Sequence, residues 1–175
     1  MPDTAQTRDI ALKDVSPRQP AHHAEAPYQL FLAAALSLAL LGGFMLAMLL
    51  PIAGALEWDW GTRWQELAQA HGQLQLLGFA GLFIAGMALR LMPRFSGRPL
   101  AYPMAARSVV VLVGGGVVLR SVAPLFDNDV LNATAFAGGA VLLLGGSTAF
   151  AAVLLRTLLH PESKAEATGW FFVLG

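Results

Sequence analysis

The chain has 175 residues, 56% of them hydrophobic and 13% charged, with zero formal net charge, whereas soluble domains carry about a quarter charged residues. A water-soluble domain of this length cannot hide several apolar runs of about 20 residues, each long enough to cross a hydrocarbon layer about 30 Å thick. The absence of cysteine excludes disulfides, thiolate metal sites and covalent c-type haem attachment, leaving His, Met, carboxylate or carbonyl oxygen to hold any metal.

In chain order, residues 1–27 are polar and rich in Pro and mixed charge, and read as a mobile cytoplasmic tail. The tail lacks the layout of a secretory signal peptide. Its His22-His23 pair is usually solvated in such a context, with metal contact as the minor reading. The first span is predicted at 28–56, uncharged until its end, with Gly42-Gly43 at mid-depth and Pro51 near the far end. Residues 57–70 follow, with Trp58, Trp60 and Trp64 beside acidic side chains, the pattern of a headgroup-level aromatic belt.

Three more spans are predicted at 71–92, ended by Pro93, at 104–125 and at 131–159. The last two carry Gly114-Gly115-Gly116, Gly138-Gly139 and Gly145-Gly146. Small residues let helix backbones approach closely, or leave room for a flat cofactor. Residues 161–175 read as a cytoplasmic loop and the opening of a fifth apolar span, as expected for a piece of a longer polytopic protein. The fold class is therefore all-α, a polytopic transmembrane helix bundle.

Charge placement sets the orientation. Arg8, Lys13, Arg18, Arg94, Arg98, Arg107, Arg156 and Lys164 fall on one side, and Arg63 with Glu57, Asp59, Glu66, Asp127 and Asp129 on the other. The basic side is the cytoplasm, with the N-terminus inside a bacterial inner membrane. Arg90 then sits at the inner end of the second span, where its long side chain snorkels to water.

Few residues are equipped for chemistry. His71 opens a helical face with Gln75 and Gly78 at i, i+4 and i+7. Two readings of His71 stand: a haem or copper ligand whose second ring nitrogen is oriented by an acceptor, or an interfacial residue bonded to water or a loop carbonyl. Arg120 lies about 20 Å above the inner boundary at 1.5 Å per residue, the depth of Gln75. A charge there costs at least ~2.5 kcal/mol unless it is paired or reaches the surface. It can rise toward Asp127 or Asp129, or meet an anion inside the bundle such as a haem propionate, with Asn132 as a neighbour. Met45, Met48, Met87 and Met92 are more readily packing residues than axial ligands. No carboxylate lies within a span, and nothing suggests a phosphate loop, a nucleophile elbow or nucleic-acid binding.

The segment HGQLQLLGFAGLFIAGMALRLMPRFSGRPL, His71 to Leu100, followed by the glycine-rich helix with Leu119-Arg120, resembles the N-terminal part of the NnrS family. That family comprises bacterial polytopic membrane proteins containing haem and copper and linked to nitric oxide. Its second-helix pattern H-x-H-E-M-x-x-G falls on His71, Gln73, Leu74, Gln75 and Gly78, matching at the first histidine and the glycine. Arg120 falls where the family places a Gly-Arg pair. The His71-Gly72 pair is also similar to haem-copper oxidase subunit I, and Pro93 to Leu100 fits the Pro-Arg-Phe-x-Gly-Arg-Pro-Leu loop of small subunit-I-like proteins.

The resemblance implies a b-type haem with His71 as axial ligand, cofactor contacts from Gln75, Gly78 and Arg120, a copper ion as a second cofactor, and a role in the nitric oxide response, denitrification or electron transfer. The competing expectation is a cofactor-free transporter segment or assembly subunit, whose glycine faces pack against other membrane subunits or a second copy of the chain. In either case the bilayer is a partner and nucleic acid is not.

Overall fold

The computed structural model describes residues 27–61, 63–97 and 99–159. The expected tail with His22-His23, the charged loop and the start of a fifth span lie outside the described residues, as does Arg98. Among the described residues the chain is helical throughout, with four helices long and apolar enough to cross a membrane: α1 (Pro27–Ala55), α2 (Arg63–Ser96), α3 (Pro103–Leu125) and α4 (Asp129–Leu158).

The boundaries follow local chemistry. α1 ends in a turn where Trp58 N–H reaches back to the Ala53 carbonyl (3.0 Å) and Glu57 N–H to Gly54 (3.2 Å). Glu57 takes the left-handed conformation, φ 53°, that this closure requires. α3 opens with Pro103 in its first turn, where a missing N–H costs nothing. Its last turn, Ala123–Leu125, tightens to 3-10 geometry around Pro124. α4 is capped by Asn128, whose side-chain oxygen accepts from the N–H groups of Val130 (2.9 Å) and Leu131 (3.1 Å).

α2 differs most from its predicted range of 71–92. It begins at Arg63, taking in Trp64 and the stretch up to residue 70 while Trp58 and Trp60 stay in the loop before it, because Leu67, Ala70 and Leu74 recur at helical spacing and are buried on one side. It also continues through Pro93. Gly97, at φ 68°, ends it instead. His71 is therefore two turns inside the helix and not at its mouth.

α3 and α4 form the most intimate pair. A side chain on Gly139 would bring its Cβ within 2.7 Å of the Gly116 carbonyl oxygen, and one on Gly116 within 2.8 Å of the Gly139 carbonyl. The two backbones thus touch, as apolar surroundings favour. α1 lies against α2 and α3, α4 against α3 and the second half of α2, and α1 does not meet α4. The buried hydrophobic cluster gathers toward the end where α1 starts, around Phe31, Leu82, Leu89, Met92, Val109 and Leu158. There Thr157, 2% exposed, accepts from Ala101 N–H (3.1 Å) and donates to the Val153 carbonyl (2.8 Å), tying the α2–α3 loop to α4.

The outward faces are apolar. Leu41, Leu76, Val111 and Leu144, one from the middle of each helix, are 70–75% exposed. Contiguous exposed apolar surface of this kind suits lipid and not water.

Candidate functional site

His71 meets α1 near its middle. Its Nδ1 lies 2.8 Å from the Gly43 carbonyl oxygen. A carbonyl only accepts, so Nδ1 is the donor here and Nε2 is the ring nitrogen left for another partner. At this level both helices widen into π-helical turns, Ala39–Phe44 in α1 and Leu74–Gly81 in α2, a geometry that recurs at functional sites.

Glycines permit the contact. A Cβ on Gly43 would lie 2.6 Å from Gln75 Nε2, and one on Gly42 2.9 Å from Leu74 Cδ1. Lower in the same face, Gly78 is buried, with its Cβ position 3.2 Å from Leu38 and 3.4 Å from Val117. His71, Gln75 and Gly78 thus share one face, as their spacing predicted, and the structure turns that face toward α1. At Gly78 the neighbours are packed side chains.

Leu67 and Leu74, one turn on either side of His71, line a cleft of about 440 Å³ between α1, α2 and α3. Its other walls include Leu38, Leu41 and Gly42 of α1 and Val118 and Ser121 of α3, with Trp60 from the connecting loop. The lining is almost wholly apolar. Ser121 adds a buried hydroxyl oxygen that has no hydrogen-bond partner, the kind of group that a ligand or water satisfies.

Arg120 is elsewhere. Its Nε donates to Gln73 Oε1 at 3.2 Å, and its guanidinium carbon sits 3.8 Å from the centre of the Phe136 ring. It opens onto a separate cavity of about 190 Å³ between α2, α3 and α4, shared with Glu66, Gln69, Gln73 and Asn132. The structure does not bring Arg120 to His71 and Gln75, although counting along the helices put Arg120 and Gln75 at one depth and the resemblance implied that all three touch one cofactor. Gln73 is two residues from His71, about 200° around the helix, whereas Gln75 is four residues away and returns to the same face. Nor does Arg120 rise to Asp127, which pairs with Arg63 and so joins the α1–α2 and α3–α4 ends. Both members of that pair are exposed, so it contributes little. Asn132 does line the Arg120 cavity, as its position suggested.

Sequence reading missed Gly43, Ser121 and Phe136. For Gly43 the Gly42-Gly43 pair was a visible signal, since only one residue type lets a side chain reach a helix carbonyl from outside. Ser121 and Phe136 carry no comparable mark. Among the described residues, no group of three His, Cys, Asp or Glu side chains converges as a metal site. Comparison with family models, with curated proteins and with solved structures finds no match.

Proposed function

We propose that this chain is a multi-pass protein of the bacterial cytoplasmic membrane, N-terminus inside, that binds a b-type haem through His71. Its role is in electron transfer or the nitric oxide response, as the likeness to the NnrS family implies. The observation that carries the reading is the His71 Nδ1 hydrogen bond to Gly43. A metal-ligating histidine typically donates its other ring N–H to a carbonyl or carboxylate, which fixes ring and tautomer and makes the coordinating nitrogen more basic.

Two features support a haem. His71 has its Nδ1 held by the Gly43 carbonyl, and its neighbours one turn away, Leu67 and Leu74, line an apolar cleft bounded by three helices, which His71, Gln75 and Gly78 do not themselves line. Arg120 belongs to another cavity and is left out of the haem contacts. When bound, a haem supplies one-electron redox chemistry and a coordination position for a diatomic gas. The protein's part is to orient the imidazole through Gly43, exclude water with the Leu67 and Leu74 side chains, and offer the Ser121 hydroxyl as a donor. Copper, implied by the same resemblance, needs more donors than one imidazole, and the proposal is for haem alone.

A cofactor-free membrane module remains the second reading, favoured by one observation. The same hydrogen bond clamps α2 to α1, as the Gly116–Gly139 contact closes α3 on α4, which gives His71 a packing role of its own. The optical spectrum of the purified protein separates the two. The haem reading requires a Soret band that is lost or shifted in His71→Ala; no band, with no iron by elemental analysis, leaves the second reading.

A further inference from the structure

Arg120 is held at two points. The Phe136 ring of α4 covers its guanidinium, with 3.8 Å from the carbon to the ring centre, and its Nε donates to Gln73 Oε1 of α2 at 3.2 Å. Together they fix the plane of the group and leave its terminal nitrogens, the fork that takes a carboxylate in two parallel hydrogen bonds, for another partner. The cavity of about 190 Å³ beside it is also lined by Glu66, Gln69 and Asn132. Glu66, Gln69 and Gln73 lie at i, i+3 and i+7 on one face of α2, so Glu66 stands about 10 Å along the helix from the level of Gln73, toward the end with the Trp-rich loop. Among the described residues Arg120 and Glu66 form no ion pair with each other, and the bond from Arg120 to Gln73 is the only hydrogen bond joining side chains that line the cavity.

We infer that this cavity binds one small zwitterion, its carboxylate on the Arg120 fork and its ammonium on Glu66. The two wall charges decide the class. A simple anion gains at Arg120 but is repelled by Glu66, and a simple amine gains at Glu66 but is repelled by Arg120. A molecule carrying both charges gains at both walls. The separation sets its size: out of about 10 Å, an ionic hydrogen bond of about 2.8 Å at each end leaves about 4–5 Å, the reach of a short ω-amino acid. The cavity is smaller than the roughly 300 Å³ at which sites for drug-sized molecules begin, as a solute of this size requires. Hydration alone accounts for polar side chains near a membrane surface. It does not require a guanidinium fixed in plane by a ring from one helix and an amide from another. The inference is independent of the haem reading, because none of its residues lines the apolar cleft beside His71.

The test is isothermal titration calorimetry of the purified full chain with 4-aminobutyrate, and with butyrate and butylamine, each of which lacks one of its charges. Wild type is expected to bind one 4-aminobutyrate per chain, more tightly than either control by about tenfold or more, the worth of one charge-assisted hydrogen bond. Glu66→Gln, a conservative change at a half-buried position, is expected to lose the preference over butyrate and keep the preference over butylamine. Arg120→Gln is expected to do the reverse. Glu57→Gln, which removes an equal charge from the same end but outside the cavity, is expected to keep both preferences. No binding of 4-aminobutyrate by wild type at tens of millimolar overturns the site, as does equal affinity for the three compounds. A Glu66→Gln protein with the wild-type preference over butyrate likewise overturns a zwitterion as the occupant.

Discussion

His71 and Arg120 show how one turn of a helix separates two environments. Both sit on membrane helices, yet His71 points at α1 and Arg120 at α4, and Gln73 rather than Gln75 is the arginine's partner. Arg120→Met should therefore lose the Gln73 bond and the stacking on Phe136, costing about 1–2 kcal/mol. It should leave any haem spectrum unchanged. Thermal unfolding in detergent measures the first effect and optical absorption the second; a displaced Soret band would return Arg120 to the haem site. The His71, Gln75, Gly78 face was legible in the sequence because helical spacing fixes relative direction. Which neighbour that face meets was not, because depth counting says nothing about rotation.

At the scale of elements, the glycine runs resolve into residues that pack and residues that do not. Gly139 and Gly116 abut each other's backbones, whereas Gly145 and Gly115 have open space where a Cβ would go. Gly139→Ala must push α3 from α4 and should destabilise by about 1–3 kcal/mol. Gly145→Ala, free of contacts, should be neutral or stabilising by up to about 1 kcal/mol. Equal effects of the two substitutions on the unfolding midpoint would contradict the packing. The four helices themselves were readable from hydropathy, since each needs only a long uncharged run. The start of α2 was hidden because Gln65, Glu66 and Gln69 break the hydropathy while Leu67 and Ala70 keep the helical period beneath it. The π-helical turns left no mark that composition or period reveals.

The whole molecule is built to be solvated by lipid. Leucines and valines at mid-helix on all four outward faces are exposed, and among the described residues the carboxylates gather at one end and Arg90, Arg94 and Arg107 at the other. Since the chain has no cysteine, single introduced thiols report orientation cleanly. Asp59→Cys should react with a membrane-impermeant maleimide in intact cells, and Pro99→Cys only after permeabilisation; the reverse pattern would invert the topology. His71 lies about 12 Å along α2 from its first residue, at 1.5 Å per residue, and within an apolar layer an imidazole is costly unless it has a task. The most direct measurement of that task is a haemin titration of the purified protein. Wild type should bind one haem per chain with a Soret shift, and His71→Gly should lose the shift and regain it when imidazole is added to fill the vacated position. A His71→Gly protein with the wild-type band and no added imidazole, or a wild type with no band at all, would contradict His71 as the ligand.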